Sequence, residues 1–529
     1  MRFFLGLVVK HAQTKAGLPG SRFAILLPVL SALWACAVWT PLPATTGFTS
    51  EQAVEVFAAG YDSISEYYID RVELPSLALH GMEGLHKIDP DLNVVRADSK
   101  LTLAVGRAQI GEFNVPQSND PSRWARLTAS VVAAGRSASQ PLRDALPEQV
   151  YKAIFDAELA GLDPFSRYAS ADRARDNRAN RDGFGGIGIT LAVDEDGIAV
   201  ASVLAGTPAE AQGLRVGDRI LFVDDEPLTG MPVSDVLARL RGAVGSTLNL
   251  TIERDSKRQI VALSRARIVP TTVTVKREGE AVIIRITGFN QGTARQVEEA
   301  VEEAKATYGL RMKGLILDLR GNPGGLLDQA VAISELFLPQ GEILTTQGRH
   351  PRSRQRYRAS GSDLAEGLPM VVLINGGSAS AAEIVAAALQ DNRRALLVGT
   401  ASYGKGSVQT VVRLPNDGEL TITWARMYSP LGFPLNKFGV MPSVCTSQFT
   451  GTPEELLKDL RGGSMPPGAA VAQRRAATER GESGADGLRN ACPARSLDSE
   501  LDLKVARQLI DEPQLYARVN TLYQVATTP

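Results

Sequence analysis

The sequence predicts a multi-domain α+β protein: a helical N-terminal region, a small strand-rich unit, a layered α/β domain and a short helical C-terminal region. Its 529 residues allow about three or four domains. Apolar residues spaced three and four apart indicate helices near the N-terminus, whereas strands and helices alternate between about 270 and 447. That alternation favours a largely parallel sheet with helices packed against it.

Composition excludes several classes of function. Hydrophobic residues make up 44% and charged residues 22%, ordinary values for a globular protein. Lys plus Arg number 57 and Asp plus Glu 58, so a net charge of −1 gives no electrostatic footprint for nucleic acid. The 4 histidines and 3 cysteines form no metal-binding motif, and we expect neither a metal nor a cofactor. No histidine lies near the Gly-rich turns described below, which argues against a Ser-His-Asp hydrolase.

Residues 1–45 have the pattern of a targeting segment. Basic residues precede an uncharged stretch from Phe23 to Trp39, and the first acidic residue is Glu51. A basic flank before a short apolar run is typical of a cleaved signal peptide or a retained inner-membrane anchor. Cys36 also faintly resembles the lipidated cysteine of a bacterial lipoprotein signal. All three alternatives place the rest of the chain in the bacterial periplasm or cell envelope.

Export to an oxidising compartment would affect the oxidation state of the remaining cysteines. Beyond the targeting segment, only Cys445 and Cys492 are left. Exported proteins favour oxidised cysteines, and an even pair indicates one disulfide. The alternative is a pair of unrelated buried thiols.

We assign residues 46–182 to a helical N-terminal domain. Phe57 and Tyr61 lie on one apolar helical stripe, and Thr49 is a candidate N-cap for that helix. Such a stripe is typical of a core or of a partner helix rather than of a catalytic role. The charge run at 171–182 predicts a solvated linker.

Two units follow, at 183–268 and 269–447. The first has short alternating strands and opens with a glycine-rich loop of Phe184, Gly185, Gly186, Ile187 and Gly188. The candidate strands of the second are Val282–Ile286, Gly314–Leu319, Val371–Ile374 and Leu396–Val398. Its candidate helices lie near 293–308, 326–338 and 380–391.

The end of the chain has a different composition. We expect residues 448–490 to be a flexible linker, because 461–488 contains almost no large apolar residue and resembles disordered segments. Residues 491–529 are assigned to a C-terminal helical segment, with a short helix near Leu501–Ile510.

Two Gly-rich turns offer groups for acyl chemistry. Asn322-Pro323-Gly324-Gly325 follows an apolar strand, and consecutive glycines before a helix expose N–H groups that suit an oxyanion or a phosphate. The same residues also make an ordinary turn. Ser378 and Ser380 lie in the second turn, where a serine at a helix start presents its hydroxyl unobstructed. Ser380 with Glu383 equally fits a capping box.

The third turn carries Lys405 between Gly404 and Gly406. A lysine acts as a general base when its pKa falls by roughly three units, which requires burial beside apolar surface. Gln409, four residues later, faces the same side and would orient the amine. The alternative is a flexible surface lysine.

Taken in this order, the glycine-rich loop and the three turns resemble the C-terminal processing peptidases, or tail-specific proteases. The resemblance runs from Leu162 to Pro442, a little over half of the chain. It implies a serine-type endopeptidase with a Ser-Lys dyad in a ClpP/crotonase-like α/β domain. Ser380 would be the nucleophile, Lys405 the general base and Gln409 the residue that positions it.

The resemblance implies two binding features as well. Backbone N–H groups of Gly324 or Gly325 and of Ala381 would form the oxyanion hole. Residues 183–268 would be a PDZ domain whose loop Phe184–Gly188 captures a free, apolar C-terminus by strand addition. The expected partners are protein substrates with apolar C-termini, an adaptor protein and a second copy of the chain in a homodimer or larger homo-oligomer. The inner membrane is a further expected partner if the N-terminal segment is retained.

Two other functions stay open at this point. One is a catalytically silent PDZ scaffold in the cell envelope, against which the joint presence of Ser380, Lys405 and Gln409 argues. The other is a crotonase-type acyl transfer enzyme, against which the export pattern argues because acyl-CoA is intracellular.

Overall fold

The structure is a computed structural model that describes residues 48–194, 197–447, 449–463 and 485–527. The expected targeting segment at 1–45 lies outside these residues, as does most of the expected disordered segment at 461–488. No helix within the described ranges is both long enough and apolar enough to cross a membrane.

The N-terminal domain contains more than the predicted helices. Its helices are α1 (Ser50–Tyr67), α2 (Leu74–Glu83), α3 (Pro121–Ala138), α4 (Gln140–Asp144), α5 (Pro147–Ala160) and α6 (Ala171–Asp182). Its strands are β1 (Leu92–Ala97), β2 (Lys100–Val105), β3 (Ala108–Asn114) and β4 (Arg167–Ala169). The antiparallel sheet β1–β2–β3 was not predicted. In β2, Leu101 and Leu103 are buried against the helices, so the strands close one side of the helical core.

The prediction of a linker at 171–182 is wrong, because these residues form helix α6. The helix is charged on its exposed surface, where Arg175 pairs with Asp172 one turn earlier at 3.2 Å. Ala174 and Ala179 are buried and give the helix an apolar contact with the rest of the protein, and Arg178 pairs with Glu419 at 2.9 Å. Small buried residues in a charged sequence leave a weak apolar pattern, which explains why the helix was missed.

The unit at 183–268 is a strand-rich domain. Its strands are β5 (Phe184–Gly186), β6 (Ile189–Asp194), β7 (Gly197–Val203), β8 (Arg219–Val223), β9 (Glu226–Pro227), β10 (Thr247–Arg254), β11 (Lys257–Ser264) and β12 (Ala266–Ile268). Its helices are α7 (Pro208–Ala211) and α8 (Val233–Leu240). The main sheet runs β11–β10–β8–β7–β6, which leaves β6 at an edge. Strands β5 and β12 pair with each other, so the two ends of the domain meet.

The domain at 269–447 confirms the predicted alternation. Its strands are β13 (Val273–Glu278), β14 (Ala281–Ile286), β15 (Gly314–Asp318), β16 (Gly341–Gln347), β17 (Gln355–Ala359), β18 (Met370–Ile374), β19 (Leu396–Gly399), β20 (Ser407–Arg413), β21 (Glu419–Tyr428) and β22 (Val444–Cys445). Its helices are α9 (Thr293–Tyr308), α10 (Leu327–Glu335) and α11 (Ala381–Asp391). The main sheet has the order β13–β14–β15–β18–β19–β22 and is parallel except for the edge strand β13.

Both faces of the main sheet are covered. Leu315 and Leu317 of β15 face the core formed with α9, α10 and α11, whereas Ile316 faces a second core. The second core is closed by α12 (Pro453–Gly462), α14 (Glu500–Asp511) and α15 (Pro513–Thr527), which follow the domain in sequence together with α13 (Ala485–Ala491). Burial on both faces explains why these strands are continuous apolar runs.

The prediction of a flexible linker at 448–490 is therefore wrong for helix α12. Leu456, Leu457 and Leu460 of this helix are buried against the sheet, because their three-residue and four-residue spacing gives an apolar stripe. The predicted C-terminal helical segment at 491–529 is confirmed by α14 and α15.

A second sheet, β17–β16–β21–β20, links the α/β domain to the N-terminal domain. Strand β4 pairs with β21, and Leu420 and Ile422 of β21 are buried in the core of the N-terminal domain. Cys445 and Cys492 form the predicted disulfide, with an S–S distance of 2.09 Å.

Candidate active site

The main sheet brings the three Gly-rich turns to one edge. The turn at 319–326 follows β15, the turn at 375–380 follows β18, and the loop at 400–406 follows β19. These strands are neighbours and parallel, so their carboxyl ends lie side by side. Crevices outside the carboxyl ends of parallel strands are the usual place for a site in such sheets.

Ser380 stands at the start of α11 in a strained backbone conformation. Its φ is 57° and its ψ −114°, a region that non-glycine residues avoid. Its N–H donates to Oε2 of Glu383 at 2.8 Å, the half of the predicted capping box in which the glutamate accepts. Backbone strain held by surrounding contacts is common where a reactive side chain must be presented.

Ser378 has a different environment, although it is only two residues away. Its buried hydroxyl donates to the Leu319 carbonyl at 2.8 Å and accepts from the Asn375 N–H at 3.0 Å. These bonds tie the second turn to the first and commit the hydroxyl to a structural role. Between the two serines, Ser380 is the one that lines a cavity.

Lys405 lines the same cavity of about 390 Å³ as Ser380. Burial, followed by the positive charge of Arg167, lowers the pKa of Lys405 to about 8. Its ammonium nitrogen lies 5.5 Å from the centre of the Phe165 ring. Burial beside apolar surface is the environment that a neutral lysine requires, and it rules out a flexible surface lysine here.

Gln409 also lines this cavity, but its amide is engaged elsewhere. Its Nε2 donates to the hydroxyls of Ser407 at 2.9 Å and Thr423 at 3.3 Å. Within the described part of the chain, no hydrogen bond joins Gln409 to Lys405.

Of the two glycines considered for the oxyanion hole, Gly325 is the one whose N–H has no backbone acceptor among the described residues. The Gly324 N–H donates to the Asn322 side-chain oxygen at 2.8 Å. Gly325 pairs with Phe289 in a parallel bridge in which Phe289 bonds to Gly324 and Leu326, so the Gly325 N–H points away from Phe289. Gly325 and Ala381 both line the cavity beside Ser380.

Gly324 has a steric role instead. Its φ is +99°, and a Cβ there would lie 2.7 Å from the Ser380 Cβ and 2.9 Å from the Ala381 nitrogen. Only glycine permits the first turn to approach the start of α11 this closely.

Glu383 is a site residue whose importance the sequence understated. Its carboxylate is fully buried and accepts from the Ser402 hydroxyl at 2.6 Å and from the N–H groups of Gly404 at 2.7 Å and Lys405 at 3.2 Å, besides Ser380. Burial raises the pKa of this carboxyl. The capping-box motif was the sequence signal that pointed to Glu383, but it indicated only the contact with Ser380. Among the described residues, no cluster of His, Cys, Asp or Glu could hold a metal ion.

The strand-rich domain has a second cavity, of about 500 Å³, between β6 and α8. Of the predicted loop, Phe184, Gly186, Ile187 and Gly188 line it, whereas Gly185 packs against the Gly242 carbonyl. The other lining residues are mainly apolar and include Ile189, Leu204, Leu237 and Leu240. The groove therefore suits an extended apolar segment that lies beside an edge strand.

Comparisons with known proteins agree with this arrangement. The profile of Peptidase family S41 matches residues 280–445, and that of the PDZ domain matches residues 178–253. The Carboxy-terminal-processing protease of Bartonella bacilliformis is 39% identical over 294 residues, which cover 55% of this chain and 68% of that protein. The Carboxyl-terminal-processing protease of Picosynechococcus sp. is 33% identical over 310 residues, which cover 57% of this chain and 74% of that protein.

Among solved structures, the photosystem II D1 C-terminal processing protease is 26% identical and covers 75% of this chain and 92% of its own, with a TM-score of 0.38. On the strength of the sequence matches, the chain belongs to peptidase family S41 and is a serine-type peptidase of the carboxy-terminal processing kind.

Proposed function

We propose that the chain is an exported endopeptidase that binds free, apolar C-terminal tails in its PDZ groove and hydrolyses peptide bonds with Ser380 and Lys405. The observation that carries the proposal is the shared cavity, in which a serine at a helix start lies with a lysine whose pKa is lowered to about 8. At such a pKa, a usable fraction of the amine is neutral near physiological pH.

In the proposed reaction, the neutral amine of Lys405 takes the proton of the Ser380 hydroxyl while Oγ attacks the substrate carbonyl carbon. The N–H groups of Gly325 and Ala381 stabilise the oxyanion of the tetrahedral intermediate. The lysine ammonium then gives its proton to the leaving amine, and an ester on Ser380 remains. Water, deprotonated by the same lysine, hydrolyses that ester and restores the hydroxyl.

Gln409 is the proposed positioning residue for Lys405. Its place on the cavity wall supports that role, and its bonds to Ser407 and Thr423 would hold its side chain in a fixed orientation.

Tail recognition is proposed for the groove beside β6. An incoming segment would add to this edge strand, and its terminal carboxylate would meet the N–H groups of Gly186, Ile187 and Gly188. The apolar lining near Leu237 and Leu240 supports a preference for apolar tails over charged ones.

Export to the periplasm or cell envelope is supported by the pattern of residues 1–45 and by the Cys445–Cys492 disulfide, because disulfides persist in oxidising compartments. An adaptor protein, a homodimer or larger homo-oligomer, and membrane association through a retained N-terminal segment stay expectations from the sequence.

The test uses the full-length chain and a folded substrate with an apolar tail, compared with the same substrate ending in Asp-Asp. Cleavage of the apolar tail should be abolished by Ser380→Ala and by Lys405→Ala, whereas Ser137→Ala, on the exposed side of α3, should leave it unchanged. Cleavage that survives Ser380→Ala would overturn the proposed nucleophile, and equal cleavage of both tails would overturn the tail preference.

A further inference from the structure

Residues 489–499, which we call the bracket, run across all three Gly-rich turns of the candidate site. The bracket begins in the last turn of α13 and ends where α14 begins, and residues 493–499 have no regular secondary structure. Neither the family matches nor the turn motifs include it, since the S41 profile ends at residue 445.

Arg489 connects the bracket to the loop that carries Lys405. Its Nη1 lies 3.2 Å from the carbonyl oxygens of Ser402 and Tyr403 and 3.5 Å from that of Lys437. Residues 401–406 have no regular structure, so their carbonyls depend on donors from elsewhere in the fold. One guanidinium therefore joins the lysine loop to the segment that passes beside it.

Gly404 allows this close approach. A Cβ at Gly404 would lie 3.0 Å from Nη1 of Arg489, and the φ of Gly404 is +84°. This close approach and the positive φ explain why a glycine precedes Lys405, which the sequence alone did not reveal.

The same bracket holds the turn that carries Ser380. The Gly376 N–H donates to the Arg495 carbonyl at 2.7 Å, and the Asn375 side-chain amide donates to the Ser496 carbonyl at 3.2 Å. The bracket also reaches the first turn, where the Arg320 guanidinium donates to the Ser499 carbonyl at 2.7 Å.

A covalent bond retains the bracket in this place. Cys492 is buried and bonded to Cys445 of β22, whereas residues 493–498 are largely exposed. An exposed segment without regular structure has little stability of its own, so the disulfide and the polar contacts carry its order.

Resting on the proposed Ser380–Lys405 chemistry, we propose that the bracket is a positioning element for that dyad. Arg489 is the positioning residue for the lysine loop, and the Cys445–Cys492 disulfide keeps the bracket seated on the turns. Neither Arg489 nor the two cysteines line the cavity of Ser380 and Lys405. Their removal lets the lysine loop move relative to Ser380, which affects the chemical step more than binding.

Arg489→Met in the full-length chain tests the contact, because methionine keeps much of the length and removes the donors. We expect kcat on an apolar-tailed peptide to fall about tenfold with KM nearly unchanged, as for an interaction that acts on the chemical step. Water that reaches a looser lysine loop would raise the pKa of Lys405, so the acid limb of the kcat/KM profile should move to higher pH.

Two variants control this result. Arg489→Lys still offers donors to the carbonyls and should recover part of kcat, whereas Arg107→Met, at the exposed β2–β3 turn, should match the parent protein. An unchanged kcat and an unchanged pH profile in Arg489→Met, with Ser380→Ala inactive, would overturn the bracket proposal. Activity that survives Ser380→Ala would instead defeat the proposed dyad, so the two failures are distinct.

The double variant Cys445→Ser with Cys492→Ser tests the covalent link separately and also serves if Arg489→Met does not fold. We expect kcat to fall while the Kd of an apolar-tailed peptide, measured by fluorescence anisotropy, stays the same. An unchanged kcat would show that the link does not position the dyad. An equal loss of kcat and of tail binding would show a general loss of structure and would likewise overturn the proposal.

Discussion

The backbone N–H groups of Ser380 and Lys405 donate to the same atom, Oε2 of Glu383, at 2.8 and 3.2 Å. The other carboxylate oxygen accepts from the Ser402 hydroxyl and the Gly404 N–H. One buried carboxylate thus sets the distance between the turn of the proposed nucleophile and the loop of the proposed base. Hydrogen bonds to a charged acceptor are strong and directional, which suits this task.

Glu383→Gln should therefore lower both activity and stability. The glutamine amide keeps the size of the side chain but presents N–H groups to at least one pair of donors, which leaves buried groups unpaired. We expect kcat to fall more than tenfold and the free energy of unfolding to fall by about 2 kcal/mol. Steady-state kinetics and urea unfolding measure the two effects. Glu303→Gln, on the exposed side of α9, is the matched control, and equal behaviour of the two variants would contradict the role of Glu383.

The pH dependence of activity should reflect Lys405. Only the neutral amine is a base, so kcat/KM should rise with pH through the lysine pKa of about 8. Burial is the main cause of the lowered pKa of Lys405, and the positive charge of Arg167 lowers it further because it disfavours a second cation beside it.

Arg167→Gln should consequently raise that pKa and move the acid limb of the kcat/KM profile to higher pH. At pH 7, activity should fall, and at a pH well above the new pKa it should approach that of the parent protein. Arg107→Gln, which also removes one positive charge, should leave the profile in place. A shift to lower pH in Arg167→Gln would show that another group controls the limb.

Gly324→Ala should abolish activity through a steric clash. The added Cβ would lie 2.7 Å from the Ser380 Cβ, and the φ of +99° is strained for alanine. Gly309→Ala separates the two causes, since Gly309 also has a positive φ, of +51°, but has no atom within 4 Å of the added Cβ. Gly309→Ala should lose about 1 kcal/mol of stability from the positive φ alone, and Gly324→Ala should lose more because of the clash, but only Gly324→Ala should lose activity. Activity retained in Gly324→Ala would mean that the first turn does not need this close approach.

The sequence predicted the parallel sheet well, because strands buried on both faces are continuous apolar runs between glycine turns. It also predicted a helix near 293–308, where the structure has Thr293–Tyr308, since its buried positions recur with helical spacing. It did not predict that α12 covers the second face of the sheet. That contact joins segments far apart in the chain, and a charged neighbourhood rich in glycine masked the stripe of Leu456, Leu457 and Leu460.

As with the fold, the sequence predicted one part of the candidate site and not the other. Ser380 and Lys405 lie in recognisable turns, so a linear motif was enough to find them. Other contacts depend on how the turns meet at the carboxyl ends of the strands. They include the hydrogen bond from the Gly324 N–H to Asn322 and the bonds of Glu383 to two loops. Such contacts have no local periodicity or spacing from which they could be predicted.

The N-terminal domain contains a buried carboxyl that should make its stability depend on pH. Glu158 is fully buried beside Tyr61, and burial raises its pKa. The folded state therefore holds a proton that the unfolded chain releases near its ordinary pKa. Stability is at its full value below the unfolded pKa and falls as pH rises towards the folded pKa, by up to about 1.4 kcal/mol per pH unit.

Glu158→Gln should remove this dependence, because the amide resembles the protonated carboxyl and does not ionise. The difference in unfolding free energy between the variant and the parent protein should be smallest near pH 4 and grow in favour of the variant as pH rises. Urea unfolding of the full-length chain, followed at several pH values by tryptophan fluorescence to which the buried Trp124 contributes, measures it. Glu303→Gln should show no such trend. A constant difference between Glu158→Gln and the parent protein at all pH values would mean that Glu158 does not retain its proton in the folded state.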